Sequence, residues 1–259
     1  MGRFDGDVCI VAGGARGIGA KTCEMYVEQG GRVLIGDVNE ELGVELEASL
    51  GKEKAVFQSL DVTDEASCQA AVERAVGEFG GLNHLVNCAI KMDPAPLVDL
   101  PLASWKMVVD IGLTGMFLMC QAAGRWLIEN ERPGVMVNLS SNAGVQPYGM
   151  SGAYSTVKAG IIMLSKQLGI EWARKGIRVN AVCPGHTETP LTAYLQDPEI
   201  KKGRSDVTPL GRVGQPVDIA HGILFLLSEE SDWITSSRLD IDGGILNSVY
   251  NHMPGRRWD

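Results

Sequence analysis

Tyr154 and Lys158, in the run Tyr154-Ser155-Thr156-Val157-Lys158, lie on a helical pattern four residues apart and so share one helix face. A free phenol titrates near about 10, too high for a base at neutral pH. An ammonium one turn away favours the phenolate, so Lys158 is expected to lower the Tyr154 pKa and make it an acid/base for a hydroxyl proton. The same spacing also serves as a plain helix-surface pair. Ser141 gives the pair company: it lies 13 residues earlier, in Ser140-Ser141-Asn142-Ala143-Gly144, just after the β-branched run Val135–Leu139. A loop at the carboxyl end of a strand is where ligands bind in open α/β sheets, and a hydroxyl there can polarise a substrate oxygen.

A second constellation sits near the start. The run Val8–Ala12 leads into Gly13-Gly14-Ala15-Arg16-Gly17-Ile18-Gly19. Glycines 13, 17 and 19 fall where a strand turns into a helix. Missing side chains let a phosphate approach the backbone, and the helix N-terminus supplies free N–H groups and a positive dipole end. The first βα turn is the place for a dinucleotide loop, although the spacing G-x-x-x-G-x-G differs from G-x-G-x-x-G. The next strand pattern ends in Asp37. An acid about 20 positions beyond the glycines can accept hydrogen bonds from a ribose 2′-hydroxyl and repels a 2′-phosphate, which favours NAD over NADP. Its other reading is a cap at the start of the helix after Asn39. Arg16 could favour a 2′-phosphate, but beside Asp37 it is expected to temper that charge. Asp61, at the end of the third strand pattern, fits the adenine edge, and Asp64 fits a helix N-cap.

These residues need a scaffold, and the chain has the rhythm for one. Short β-branched runs (Val8–Ala12, Arg32–Asp37, Ala55–Leu60, Leu82–Asn87, Val135–Leu139, Ile177–Cys183, Arg238–Ile241) alternate with helical stretches (Ile18–Gln29, Glu40–Leu50, Asp64–Phe79, Leu102–Glu129, Ala153–Lys175, Pro216–Leu227). Repeated strand-then-helix predicts an α/β fold: a Rossmann-type, doubly wound parallel sheet of about seven strands with helices on both faces. No linker divides residues 1–259, so one dinucleotide-binding and catalytic domain is expected. The proline-punctuated stretch 184–215 is either a lid, over about 186–215, or a simple excursion of the chain.

Composition narrows the function. Hydrophobic residues make up 45% and charged residues 21% of 259, the balance of a globular chain. Lys plus Arg number 23 against 32 Asp plus Glu, a net charge of −9, which is the wrong sign for general nucleic-acid or anionic-membrane binding. No window of 18 consecutive apolar residues occurs, so no membrane partner is expected. The short run Val8–Ala12 enters the glycine loop and does not read as a secretory leader. Six scattered cysteines without C-x-x-C read as reduced thiols of a cytoplasmic protein. The four histidines show no metal-ligand spacing, so no metal is expected.

In these motifs the chain resembles the short-chain dehydrogenase/reductase family, in its compact single-domain group. The family pattern T-G-x-x-x-G-x-G matches Gly13, Gly17 and Gly19; its Ser and Tyr-x-x-x-Lys match Ser141, Tyr154 and Lys158; its Pro-Gly matches Pro184-Gly185, with Thr189 at a cofactor-contacting threonine; its Asp-Gly-Gly matches Asp242-Gly243-Gly244. The resemblance implies an NAD-dependent alcohol dehydrogenase/ketone reductase. Tyr154 would be the acid/base, Lys158 would bind the nicotinamide ribose, and Ser141 would hold the substrate oxygen. The cofactor set would be Gly13, Arg16, Gly17, Ile18, Gly19, Asp37, Asp61, Val62, Asn87, Ala89, Tyr154, Lys158, Pro184, Gly185, Thr187 and Thr189. A secondary alcohol is expected, cyclic or alicyclic because Met92, Val145, Met150 and Leu191 make the cleft apolar; a sugar or polyol is the alternative. The long helices Leu102–Glu129 and Ala153–Lys175 resemble the family's dimer-forming helices, so a homotetramer is expected.

The chain departs from the family at four places. Ala12 replaces the threonine before the first glycine. Asn87-Cys88-Ala89-Ile90 replaces Asn-Asn-Ala-Gly, which puts a bulky Ile90 where glycine borders the cofactor. Gly112 stands where an asparagine helps hold a relay water, and Thr187 where Ile or Val is usual. Ile90 and Gly112 raise another reading, a catalytically weak NAD(H)-binding sensor or scaffold. On the substrate side, Gln146, Tyr148 and His186 are candidates, His186 being equally at home in a solvated loop. The basic run Lys201, Lys202 and Arg204 either attracts an anionic substrate or is a solvated helix face. The tail, residues 245–259, either packs across a subunit interface or frays.

Overall fold

A computed structural model describes residues 2–248. Seven strands form one sheet in the order β3-β2-β1-β4-β5-β6-β7, every neighbouring pair parallel. They are β1 Val8–Ala12, β2 Arg32–Asp37, β3 Ala55–Ser59, β4 His84–Asn87, β5 Gly134–Leu139, β6 Ile177–Pro184 and β7 Arg238–Ile241. Each agrees with a sequence run to within two residues at its ends. β1 is buried along its whole length because both sheet faces are covered. Ile10 and Ala12 face one helical layer; Cys9 and Val11 face the other. The strand order reverses between β1 and β4, and the crevice at their carboxyl ends is the switch point where ligands bind in such sheets.

The helices are α1 Gly17–Glu28, α2 Glu40–Leu50, α3 Glu65–Phe79, α4 Leu102–Val109, α5 Gly115–Glu129, α6 Tyr154–Trp172, α7 Pro198–Asp206 and α8 Pro216–Leu227. Local chemistry sets their starts. Asn39 caps α2 by accepting from Leu42 N–H at 3.0 Å, and Glu40 and Glu41 follow in the first turn, where the dipole favours them. Asp64 caps α3 as expected, accepting from Ala66 N–H at 3.0 Å, and Gly80 ends α3 at φ 83°. The stretch 102–129 is not one regular α-helix: a π-helical turn over Asp110–Thr114 separates α4 from α5. By length and composition it could cross a membrane, yet half of its apolar window is buried against the rest of the fold. The proline-punctuated stretch holds a 3₁₀ segment, Pro190–Gln196, before α7.

Beneath β1, away from the crevice, Tyr26 hydrogen-bonds His84 Nδ1 at 2.7 Å and Phe4 stacks on Tyr26 at 4.4 Å. Burial, helped by the Arg178 charge, pushes the His84 pKa down to about 3. An unfolded histidine takes a proton below about 6.5, so between that pH and about 3 the unfolded chain binds the extra proton. Stability is therefore lost as pH falls through this window, by about 1.4 kcal/mol per pH unit from this group alone. We expect His84→Gln to flatten the fall in urea midpoint between pH 7 and pH 4; an unchanged slope would show that His84 carries none of it.

Candidate active site

The glycine loop is tied down from two sides. Gly13 and Gly14 N–H groups donate to Gly36 O at 2.8 and 3.0 Å. Gly13 has φ +76°, and a Cβ there would lie 2.6 Å from the Ala89 nitrogen, so β1 and the β4 turn can meet only at a glycine. Gly17, at φ +60°, lies under Thr189 and Pro190, whose side-chain carbons would stand 3.6 and 3.5 Å from a Cβ. Thr189 and Pro190 thus lie over the start of α1, where unpaired helix N–H groups point. Asp37 accepts from Ala15 N–H at 3.1 Å and Asn39 N–H at 3.0 Å, so its carboxylate is fixed against the loop. It does not cap α2; Asn39 does. A side-chain-free cradle, a helix N-terminus and a fixed acid at the end of β2 fit a dinucleotide.

Several residues sit differently from expectation. Arg16 is exposed and makes no ion pair with Asp37 among the described residues. The Asn87 amide is turned into the sheet, donating to Asn138 Oδ1 at 2.8 Å, and leaves only its backbone to the crevice beside Ala89. The Val62 side chain is core, packed where Gly115 makes room. Asp61 remains exposed at the end of β3 and accepts from Thr63 N–H and Oγ1. Ile18 and Gly19 begin α1, and Gly19 sits against the Gly13 carbonyl. Gly185 packs on Asp242, which brings the Pro184-Gly185 and Asp242-Gly243-Gly244 turns together. The Thr187 hydroxyl donates to Gly185 O at 3.2 Å, and Thr192 Oγ1, which donates to Thr187 O at 2.6 Å, also meets Thr189 Oγ1 at 3.1 Å.

The structure brings Ser141, Tyr154 and Lys158 together. Tyr154 opens α6 and is 9% exposed; Lys158 is 1% exposed. Lys158 Nζ lies 5.6 Å from the centre of the Tyr154 ring and donates to Leu139 O at 2.6 Å. Gly144 presses the serine loop onto α6: a Cβ there would stand 2.5 Å from the Lys158 carbonyl carbon. Ser141 Oγ accepts from Ala143 N–H at 3.1 Å, which sets its direction. The expected electrostatics do not hold. Burial pushes the Tyr154 pKa up to about 12, with Ser141 opposing, while burial pushes Lys158 down to about 8. Burial outweighs the opposing influence of Ser141, so the phenol keeps its proton at neutral pH.

Ile90 and Gly112 meet in the fold. A Cβ at Gly112 would lie 2.5 Å from Ile90 Cδ1 and 2.6 Å from Val157 Cγ1. The isoleucine fills the space that a side chain at 112 would take. Nothing in the order of residues joins these positions; the fold does.

Gln146, Tyr148 and Met150, expected on the substrate side, lie in an exposed loop after Gly144, Tyr148 being 49% exposed. Tyr148 and Tyr194 add slightly to the rise of the Tyr154 pKa. Tyr194, in the 3₁₀ segment, is half exposed, and no motif marks it. His186 is half-buried, with Nε2 3.1 Å from Arg204 Nη1, so it is not a solvated loop residue. Tail residues 249–259 lie outside the described residues.

The family model described as enoyl-(acyl carrier protein) reductase matches residues 13–246. A 2,5-dichloro-2,5-cyclohexadiene-1,4-diol dehydrogenase of Sphingobium indicum is 38% identical over 244 residues, covering 93% of this chain and 97% of that one. A cis-4-hydroxycyclohexanecarboxylate dehydrogenase of Sinomonas cyclohexanicum is 38% identical over 241 residues, covering 92% and 95%. The crystal structure of a levodione reductase superposes with a TM-score of 0.89 at 27% identity, over 95% of this chain and 99% of that one. The motifs, the seven-stranded parallel sheet and these relatives agree over nearly the whole length, and the chain belongs to the short-chain dehydrogenase/reductase family.

Proposed function

We propose that this oxidoreductase interconverts a cyclic or alicyclic secondary alcohol and its ketone with NAD as cofactor. The observation that carries the reading is the buried junction of Ser141, Tyr154 and Lys158 at the carboxyl ends of β5 and β6. Relatives that act on cyclohexadiene diols and hydroxycyclohexane acids support the ring class. Gly13, Gly17, Gly19, Asp37, Ala89, Thr187 and Thr189 would hold the dinucleotide. When bound, it supplies the nicotinamide carbon that gives or takes the hydride. Ser141 orients the substrate oxygen. Tyr154, protonated at neutral pH, gives its proton to that oxygen in reduction and recovers it in oxidation. Lys158 stands behind the ring and steadies the charge that forms on it. The catalytically weak sensor or scaffold is the alternative, and the filled set of Ser141, Tyr154 and Lys158 weighs against it.

The reading also carries a reducing, cytoplasmic setting, which suits six free cysteines, and a homotetramer, which would cover Phe117, Met163 and Ile170, exposed on α5 and α6. The test is NADH formation at 340 nm across alicyclic alcohols, linear alcohols and polyols, with NADP in parallel. Turnover of ring alcohols with NAD is expected; silence with every alcohol, in protein that binds NADH, would overturn the reading. Asp37 sets the cofactor preference. We expect Asp37→Ser to cut kcat/KM for NAD by about tenfold to a hundredfold, through loss of charge-assisted hydrogen bonds to the ribose, and to narrow the gap to NADP. A wild-type preference for NADP would refute this role.

A further inference from the structure

A hydroxyl that no motif marks ties together the turn over the start of α1. Thr192, half-buried in the 3₁₀ segment, accepts from Thr189 N–H at 2.9 Å and donates to Thr187 O at 2.6 Å. Its Oγ1 also meets Thr189 Oγ1 at 3.1 Å. A hydroxyl has one proton to give and two lone pairs to accept with. The Thr192 proton goes to the Thr187 carbonyl, the nearest of its acceptors, so within the hydroxyl pair Thr189 is the donor. Thr192 is then saturated, with one bond given and two taken.

The consequence falls on Thr189. Its proton is turned inward to Thr192, and its hydroxyl can offer a ligand only a lone pair. The Thr187 hydroxyl is set the same way, because its proton goes to Gly185 O at 3.2 Å. The turn is also held from outside. Glu188 N–H donates to Gly214 O at 2.9 Å, Gly214 N–H donates to His186 O at 2.8 Å, and the Glu188 carboxylate accepts from Lys201 at 2.7 Å and Gln215 at 2.9 Å. Both hydroxyls are therefore acceptors in a preformed turn that lies against Gly17.

We infer that Thr192 is a positioning residue that fixes the polarity of this turn, so that Thr189 accepts from the carboxamide N–H of the nicotinamide. The inference rests on the cofactor reading above and deepens it. Acceptors suit an N–H or O–H group and disfavour a pyrophosphate oxygen, which has no proton to give at neutral pH. In that reading Asp37 takes the adenosine ribose, Asp61 the adenine edge and Lys158 the nicotinamide ribose, which leaves the carboxamide for Thr189. Thr192 touches no cofactor atom in this scheme and acts through Thr189.

The experiment measures, by calorimetry on the full chain, the affinities for NAD and for 3-acetylpyridine adenine dinucleotide. The analogue carries a methyl ketone in place of the amide and so lacks the N–H donor. The wild type is expected to bind NAD about fivefold to thirtyfold more tightly than the analogue. Thr192→Val keeps the side-chain volume, removes the acceptor and frees the Thr189 proton to point outward, so the ratio should fall toward one. Thr192→Ser restores the hydroxyl and should restore the ratio. A merely structural role would weaken both dinucleotides by one factor and leave the ratio alone, and that result in Thr192→Val would overturn the inference. Equal affinities of the wild type for NAD and the analogue would overturn it without recourse to any variant. A wild type that binds neither dinucleotide would instead remove the cofactor reading, and the inference with it.

Discussion

Tyr154→Phe should lower kcat by about a thousandfold or more while NADH affinity stays within about threefold. The substitution removes one oxygen and keeps the ring, so packing at the start of α6, where Tyr154 is 9% exposed, is preserved. What disappears is the proton that the substrate oxygen must gain or lose. The raised pKa sharpens the expectation. With the phenol at about 12, the hydroxyl is held as a donor, and neither Ser141 nor Lys158 can take its place: the serine hydroxyl is a far weaker acid, and the lysine donates to Leu139 O from behind the ring. Stopped-flow reduction of a cyclic ketone, with NADH binding followed by calorimetry, checks both halves. A variant that binds NADH normally and still reduces the ketone at a tenth of the wild-type rate would remove Tyr154 from the proton transfer.

The limits of the sequence reading follow from the range over which each signal acts. Strands such as Val8–Ala12 and Arg238–Ile241 were legible because β-branched runs and their flanking helical patterns are local. The glycine loop was legible for the same reason: strand, turn and helix lie within a dozen residues. The sign of the Tyr154 shift was not, because it depends on how deeply α6 is buried and on where Lys158 Nζ points, and a four-residue spacing records neither. The sequence does not show that Asn138, 51 positions away, takes the Asn87 amide and leaves the backbone to the crevice. Arg204 looked like one of three equal cations until Glu188 and Asp206 took the lysines. In each case a partner distant in the chain, or a neighbour's competing bond, decided the role.

Gly112→Ala carries the second large effect, and it follows from the same long-range logic. A methyl at 112 meets Ile90 Cδ1 at 2.5 Å and Val157 Cγ1 at 2.6 Å, both closer than real contacts allow. The isoleucine tip can turn aside. Val157 cannot turn as easily, since a β-branched side chain on a helix has one strongly preferred rotamer and this one is 1% exposed. Relief must come from a shift between the π-helical turn Asp110–Thr114 and α6, and Val157 stands between Tyr154 and Lys158 on that helix. We expect a stability loss of about 1–3 kcal/mol, as for other overpacked cores. A displacement near 1 Å of the acid/base would lower kcat by up to about a hundredfold with less change in KM. Ile90→Ala alone opens a void and destabilises by about 1–3 kcal/mol, since Ile90 is only partly buried. In Ile90→Ala/Gly112→Ala the new methyl enters the space vacated by the isoleucine, so the two losses should be less than additive by about 1 kcal/mol or more, and kcat should recover in part. Strict additivity in urea midpoints, or a Gly112→Ala enzyme with wild-type kcat, would show that the two departures are independent and that α6 does not feel the turn. The cycle thus tests whether the catalytic helix is positioned by a packing exchange that neither residue reveals alone.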